Sequence, residues 1–227
     1  GPSLMPGGKK EALDPLMPLF EDIAAEDFSG GKCVSVIGED GAGHFVKMVH
    51  NGIEYAVMQV LAETYSLLRM AKEDTEDIAH LFSEWNRGQL SSFLVELSAT
   101  VSAKKESGEV LLDKILDAAG QKGTGRWTVM EGATLGVAIP TISAAVEARI
   151  YSSQKTLRES LSEKITLPPA LLDGLSSDDL KMHLEKAVYM TMLTAYADGF
   201  ALIQKAAKEY HWDISFSELA RIWQGGC

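Results

Sequence analysis

The hydrophobic pattern of this chain repeats with the period of an α-helix over almost the whole stretch that follows Gly43. Helices are predicted at residues 43–71, 75–86, 88–103, 110–119, 127–136, 140–162, 176–209 and 215–223. Apolar side chains at this spacing form one stripe on each helix, and such stripes are buried most readily against other helices. The sequence therefore predicts a mainly α protein with an all-helical body at residues 39–227.

The first part of the chain, residues 1–38, has a different pattern. Residues 9–25 predict a helix that is interrupted near Pro15 and Pro18, because proline lacks the amide hydrogen that an interior helical position donates. The run at residues 33–37 is rich in β-branched side chains and predicts a strand. A lone strand makes no stable sheet, so it must pair either with a segment that this sequence lacks or with the edge of another element of the chain.

The chain is acidic, with 32 Asp and Glu against 21 Lys and Arg, a formal net charge of −11 and a pI near 4.9. This balance argues against nucleic acid or an anionic membrane surface as a partner. No apolar stretch approaches the roughly 18 residues of a membrane span, and no signal core is evident. Cys33 and Cys227 lack the spacing of a metal site or a disulfide framework. A cytoplasmic protein with reduced thiols and no metal centre is expected.

One polar cluster near the start of the first long helix combines an amine, an imidazole, an amide and a carboxyl group. Helical spacing places Lys47, His50, Asn51 and Glu54 at i, i+3, i+4 and i+7, on one face of the helix. The opposite positions are mostly apolar: Phe45, Val49, Ile53 and Met58. Ordering four polar side chains costs conformational entropy, which indicates a ligand-binding face with an anionic substrate as the natural candidate.

An acidic chain can hold an anion only where it gathers its few cations, and the candidates are Lys47, Lys122, Arg126 and Arg149. From the residues alone, two interpretations of the polar face stay open. A lone lysine on a helix is usually solvated, and a histidine four residues before a glutamate commonly makes a surface contact. The other interpretation is an active site built on the helix.

Five segments together are similar to the 6-phosphogluconate dehydrogenase family, the decarboxylating oxidoreductases of the pentose phosphate pathway. The most specific of them is GAGHFVKMVHNGIEY at residues 41–55. All five occur in the order of the family and spread over the whole chain: residues 1–8, 41–55, 120–128, 147–149 and 220–227. The order and spread together make chance agreement negligible.

This resemblance implies the all-α catalytic and dimerisation domain of the family at residues 39–227, preceded at residues 1–38 by the remnant of a dinucleotide-binding α/β domain. No G-x-G-x-x-G motif follows a strand here, so the main coenzyme site is expected upstream and no coenzyme-binding residue is assigned. The chain is also expected to stop before the family's C-terminal tail, which lends an arginine and a histidine to the partner subunit. It resembles an inactive portion of a cytoplasmic, NADP-dependent homodimer.

The implied reaction is oxidative decarboxylation of 6-phosphogluconate to ribulose 5-phosphate and CO2 with reduction of NADP. By resemblance, Lys47 is the general base on the 3-hydroxyl group, a role that a confined amine can fill. Glu54 protonates C1 of the enediol, which requires a carboxyl group that carries a proton. His50 and Asn51 bind hydroxyl groups and the carboxylate of the substrate, and they orient Lys47.

The phosphate ligands implied by the resemblance are Tyr55, Lys122, Thr124 and Arg149. The glycines on either side of Thr124 allow backbone amides to approach a phosphate, while Lys122 adds charge and Thr124 adds a hydroxyl group. The sequence therefore predicts a phosphate-binding turn between two helices.

Two positions depart from the family pattern: Val57 stands where aspartate is expected, and Arg126 stands where lysine is commoner. Val57 either alters the charge near the catalytic face or marks a branch whose helix packs differently.

Two other functions stay open. A non-catalytic helical dimerisation or interaction module would explain Val57 and the missing ends. A related 3-hydroxyacid dehydrogenase shares the lysine and asparagine four residues apart, but it would not need the phosphate-binding turn.

Overall fold

The computed structural model describes residues 1–165 and 174–226, and most of these residues are helical. The helices are α1 (Lys10–Leu13), α2 (Met17–Ile23), α3 (Ala42–Met70), α4 (Thr75–Trp85), α5 (Phe93–Ala103), α6 (Thr124–Leu135), α7 (Pro140–Ser153), α8 (Lys155–Ser162), α9 (Ser177–Glu209) and α10 (Phe216–Ile222). The mainly α fold class is confirmed. Within the described residues, none of the helices has the length and apolar character that crossing a membrane requires.

The chain divides into two compact units. Unit one contains Gly1–Ile53, Gly123–Ile139 and Tyr196–Cys227, whereas unit two contains Glu54–Lys122 and Pro140–Ala195. These units are defined by compactness, and the domain boundary after residue 38 stays a prediction.

The core of unit one is built on the apolar stripe of α3. Val46 and Val49 are fully buried and Ile53 nearly so. Further buried side chains come from the end of α9 and from α10: Leu202, Ile203, Ala206, Leu219 and Ile222. Burial of each of these valine, leucine and isoleucine side chains stabilises the fold by roughly 1.5–3 kcal/mol. The stripe therefore fixes the rotation of α3.

The strand predicted at residues 33–37 is wrong as a regular element. This run makes only isolated parallel bridges, between Leu4 and Val34 and between Gly7 and Gly38. The Leu4 amide donates to the Cys33 carbonyl at 2.9 Å, and the Ile37 amide donates to the Pro6 carbonyl at 2.9 Å. Because Pro6 has no amide hydrogen, it cannot donate to a continuous ladder. Residues 33–37 therefore pair with the N-terminal segment only at intervals.

The helix predicted at residues 9–25 is confirmed with its interruption, since a 3₁₀ turn at Asp14–Leu16 separates α1 from α2. The start of α3 is fixed by the N-terminal segment. A Cβ atom on Gly43 would lie 2.1 Å from the carbonyl oxygen of Met5 and 2.7 Å from the Gly7 amide nitrogen. Only glycine allows this approach, so the first turn of α3 is pressed against residues 5–7.

In unit two, α4 packs against α5, and Ile78, Phe82 and Val95 of these helices are buried. The helix predicted at residues 110–119 is wrong. Strands β1 (Lys105–Glu106) and β2 (Glu109–Val110) form a hairpin instead, followed by a 3₁₀ turn at Leu112–Lys114. The hairpin residues Ser107 and Gly108 have φ values of 53° and 84°, which suit a tight two-residue turn.

Other helix ends were placed less accurately by the sequence. The predicted helix at residues 140–162 breaks at Gln154, whose φ of −89° and ψ of 50° are not helical, and this corner separates α7 from α8. Helix α5 begins at Phe93 because the Ser92 hydroxyl accepts a hydrogen bond from the Val95 amide at 3.3 Å. The prolines and the glycine at residues 165–177 predict a surface connection there. Residues 166–173 of this stretch lie outside the described residues, as does Cys227.

Candidate active site

In unit one, α3 presents three of the predicted site residues together. The Nζ atom of Lys47 lies 3.2 Å from Nδ1 of His50, and the same Nδ1 lies 3.3 Å from Oδ1 of Asn51. Lys47 is exposed and Asn51 is half-buried, whereas His50 is only 5% exposed. The buried imidazole therefore joins an amine and an amide that can both reach a ligand.

The two contacts of His50 are alternatives, because Nδ1 carries either a lone pair or a proton. Without a proton, Nδ1 accepts a hydrogen bond from the Lys47 ammonium group. With a proton, Nδ1 donates to Oδ1 of Asn51 or to a neutral Lys47 amine. The imidazole can thus stabilise the Lys47 amine before and after it takes up a proton, which is the property that a general base on a helix needs.

Trp223, the residue that directly follows α10, packs against His50. The two rings meet edge to face, with centroids 5.2 Å apart and an interplanar angle of 69°. The indole nitrogen of Trp223 contacts the Met5 sulfur at 3.4 Å, and Tyr196 and Phe200 of α9 pack against the same indole. No sequence pattern marks Trp223 as a site residue, although it stands in the closing segment that carries the resemblance.

Arg221 anchors α10 in unit one. Its guanidinium group donates to the Asp27 carboxylate at 2.8 Å and to the Lys32 carbonyl at 2.9 Å. The hydrogen bond from Arg221 is the main cause that lowers the pKa of Asp27, and the amides of Gly31 and Ser29 add to it. This clamp ties α10, and with it Trp223, to the N-terminal part of the chain.

A cleft of about 600 Å³ opens beside Lys47 within unit one. Thr124 also lines it, so two predicted site residues share one cleft. Its remaining walls are largely aromatic: Phe45, Trp127, Tyr210 and Trp212, with Gly41, His44, Met48 and Glu131. The Thr128 hydroxyl of α6 lies 2.9 Å from the Met48 carbonyl of α3 and 2.9 Å from the Thr124 carbonyl, to either of which it can donate.

Thr124 is the first residue of α6, which begins three residues earlier than predicted. Gly123 precedes it with a φ of 113°, a conformation that a side chain would strain, and an added Cβ would lie 3.2 Å from the Trp127 ring. The first amides of a helix have no partner inside the helix and attract anions. Gly123 is thus required by the backbone geometry at the start of α6, and phosphate binding at this turn stays a prediction.

In unit two, Tyr55 and Arg149 form one structural pair. The Arg149 guanidinium lies 4.5 Å from the centroid of the Tyr55 ring, and its Nη1 donates to the Gly120 carbonyl at 3.1 Å. Stacking and hydrogen bonding hold the charge of Arg149 in one position. Lys122 is exposed, and it makes no ion pair within residues 1–165 and 174–226.

Glu54 is half-buried and follows the other polar residues along the same continuous helix, α3. Val57, the departure from the family pattern, is only 5% exposed. It is therefore an apolar core residue of unit two, and both interpretations of this departure stay predictions. The predicted residues fall into a unit-one group (Lys47, His50, Asn51 and Thr124) and a unit-two group (Glu54, Tyr55, Lys122 and Arg149).

Comparison with known proteins gives one consistent result. Residues 43–227 match the family described as 6-phosphogluconate dehydrogenase, C-terminal domain. The decarboxylating 6-phosphogluconate dehydrogenase of Staphylococcus aureus strain N315 is 44% identical over 229 residues, which cover 100% of this chain and 49% of that protein. The Synechocystis protein of the same name is 49% identical over 236 residues, covering 100% and 48%.

A solved structure agrees with these sequence matches. Plasmodium falciparum 6-phosphogluconate dehydrogenase, studied in apo form and with its cofactor NADP+ and its substrate 6-phosphogluconate, superposes with a TM-score of 0.92 at 38% identity. The match covers 98% of this chain and 48% of that chain. The chain thus spans about half the length of the relatives it matches. It belongs to the 6-phosphogluconate dehydrogenase family, and residues 43–227 correspond to the C-terminal domain of that family.

Proposed function

We propose that this chain supplies the substrate-binding and proton-transfer groups of an NADP-dependent, decarboxylating 6-phosphogluconate dehydrogenase. The reaction converts 6-phosphogluconate to ribulose 5-phosphate and CO2, with NADP+ as the hydride acceptor. The observation that carries the proposal is the contact of Lys47 with His50 at 3.2 Å, beside Asn51 and on the rim of a cleft. An amine, an imidazole and an amide at these distances suit a polyhydroxy acid substrate.

Lys47 receives the proton of the 3-hydroxyl group as C3 loses a hydride. His50 then accepts a hydrogen bond at Nδ1 from the ammonium group that forms. The resulting 3-keto acid loses CO2 while the Lys47 ammonium group returns its proton to the C3 oxygen, which leaves an enediol. Glu54 then donates a proton to C1 of the product while the Lys47 amine takes the proton from the enediol hydroxyl group, which forms the ketone of ribulose 5-phosphate. Asn51 binds the hydroxyl groups and the carboxylate of the substrate.

The phosphate group of the substrate is assigned to Tyr55, Lys122, Thr124 and Arg149. Two features support this assignment. The guanidinium group of Arg149 is held by the Tyr55 ring and by Gly120, so little side-chain entropy is lost when it binds an anion. Thr124 begins α6, where backbone amides and the helix dipole favour negative charge.

The main dinucleotide site is not assigned to residues of this chain, because no G-x-G-x-x-G motif follows a strand in its sequence. Gly43 at the head of α3 is a packing position, since an added Cβ would lie 2.1 Å from the Met5 carbonyl oxygen. The isolated chain is expected to be inactive.

Assembly as a homodimer belongs to the same proposal. The part of α9 that lies in unit two exposes a run of large apolar side chains: Met182, Tyr189, Met190 and Leu193. Exposed apolar patches of this kind on a soluble protein mark interaction sites. Light scattering coupled to size exclusion tests the pairing, and a monomer at micromolar concentration contradicts it.

A binding assay tests the proposed function. At millimolar 6-phosphogluconate the isolated chain should show a small rise in Tm, while gluconate at the same concentration should raise it less because it lacks the phosphate group. Addition of NADP should produce no NADPH absorbance. Failure of 6-phosphogluconate to change Tm, together with no heat of binding in calorimetry, would count against the assignment. Production of NADPH would contradict the expected inactivity.

A further inference from the structure

The segment at residues 117–120 is held by side chains from the corner between α7 and α8. The Ala119 amide donates to Oγ of Ser152 at 3.1 Å. The Ser152 hydroxyl in turn lies 3.0 Å from the Arg149 carbonyl and 3.4 Å from the Ala119 carbonyl, to either of which it can donate. One small side chain thus contacts both the amide and the carbonyl of Ala119.

Charged side chains from the same corner hold the beginning of this segment. Arg158 donates to the Asp117 carbonyl at 2.6 Å, to the Ser152 carbonyl at 2.9 Å and to the Asp117 carboxylate at 3.1 Å. Lys155 pairs with the other carboxylate oxygen of Asp117 at 2.5 Å. These contacts lie within unit two, and together they join residues 117–120 to α7 and α8.

These contacts explain why residues 115–119 are not helical. Backbone groups that a helix would use internally are bonded instead to side chains of the corner, and Arg149 takes the Gly120 carbonyl. Lys122 follows two residues later, with no regular structure between it and Gly120. The position of Lys122 therefore depends on how firmly residues 117–120 are held.

We propose that Ser152 is a positioning residue for phosphate binding: its hydroxyl fixes Ala119, and through it the segment that carries Lys122. This inference rests on the proposed function, because it assigns Lys122 and Arg149 to the substrate phosphate. Ser152 is uncharged, unlike Lys155 and Arg158, so removal of its hydroxyl group changes the local geometry without changing the charge. The carbonyl of Arg149 lies beside the Ser152 hydroxyl, but the Arg149 guanidinium group is held separately by the Tyr55 ring. Removal of the hydroxyl should therefore leave that group in place.

The test compares Ser152→Ala with Ser153→Ala in the full chain. Ser153 is the matched control, because its hydroxyl donates only to the Ile150 carbonyl one turn earlier, at 2.7 Å, among the described residues. Loss of one hydrogen bond should lower the affinity for 6-phosphogluconate roughly three- to tenfold in Ser152→Ala and leave Ser153→Ala unchanged. The weaker binding of gluconate should be unaffected in both. Ser152→Thr, which keeps the hydroxyl, should restore the affinity.

Amide hydrogen exchange supplies a second measurement that needs no ligand. Exchange at Ala119 and the three following residues should rise in Ser152→Ala and not in Ser153→Ala. Equal 6-phosphogluconate affinity in the two alanine variants, or equal exchange, would overturn the role of Ser152 while the proposed function stands. Absence of 6-phosphogluconate binding in the unsubstituted chain would overturn both.

Discussion

Nζ of Lys47 and Nδ1 of His50 lie 3.2 Å apart on one face of α3, and the imidazole is almost fully buried while the amine is exposed. The two residues stand one helical turn apart, so the contact is local. The contact is held rigid by a residue distant in sequence, because Trp223 packs against the imidazole from another part of unit one. The Lys47 amine is thus held by a ring that cannot turn freely.

Replacement of His50 by phenylalanine should separate its chemistry from its packing. His50→Phe keeps a ring against Trp223 but removes the nitrogen that contacts Lys47 and Asn51. Affinity for 6-phosphogluconate should fall about tenfold, because Lys47 and Asn51 lose the imidazole contact that orients them towards the substrate. Calorimetric titration measures this change. The exposed His183 offers the control, and an equal loss in His183→Phe would contradict the role of His50.

Arg149 should contribute to phosphate affinity through its planar group as well as its charge. Arg149→Lys keeps the charge but loses the fork that stacks on Tyr55 and donates to Gly120. Affinity for 6-phosphogluconate should fall by roughly 10–100-fold, the usual loss for a charge-assisted hydrogen bond, with gluconate little changed. Arg126→Lys, at an exposed position of α6, should bind like the unsubstituted chain. Equal losses for both ligands would argue that Arg149 holds the fold and not the phosphate.

Gly43 should be intolerant of a side chain. Gly43→Ala places a Cβ 2.1 Å from the Met5 carbonyl oxygen, so the N-terminal segment must move away from α3. We expect a loss of about 1–3 kcal/mol in unfolding free energy, typical of overpacking. Thermal unfolding should show a Tm lower by roughly 2–12 °C. Gly41→Ala is the control, since no atom lies within 4 Å of its added Cβ; equal Tm values in the two variants would refute the packing account.

The Asp117 cluster should make stability depend on acid pH. Hydrogen bonds from Lys155 and then Arg158 lower the pKa of Asp117 from 3.8 to about 2. A depressed carboxyl pKa stabilises the folded chain above the unfolded value of 3.8, and this contribution is lost as the pH falls through about 2. The Tm difference between the unsubstituted chain and Asp117→Asn should therefore be largest above pH 4 and should shrink towards pH 2.

Thermal unfolding between these pH values, followed by circular dichroism, measures the effect. Asp213→Asn is the control, because Asp213 is exposed and makes no ion pair in the part of the chain that the structure describes. A Tm difference for Asp117→Asn that stays constant across the range would show that the ion pairs contribute nothing to stability.

Local spacing explains which parts of the fold were predictable. The apolar stripe of α3 and the polar face with Lys47, His50 and Asn51 follow from the helical period, and both are present. The helix predicted at residues 110–119 failed because long-range contacts from Ser152 and Arg158 replace its internal hydrogen bonds. The strand predicted at residues 33–37 failed because its partner is a proline-containing segment that bonds to it only at intervals.

The amino-acid sequence by itself determined the mainly α class, the family and the identity of the polar side chains on α3, since helical periods and family motifs are both patterns of residues along the chain and do not depend on tertiary contacts. Only the tertiary structure decided that Trp223 encloses His50, that Val57 belongs to an apolar core, and that Ser152 holds Ala119. These contacts join residues far apart in sequence, and no local periodicity encodes them. They depend on which surfaces remain to be buried once the helices have formed.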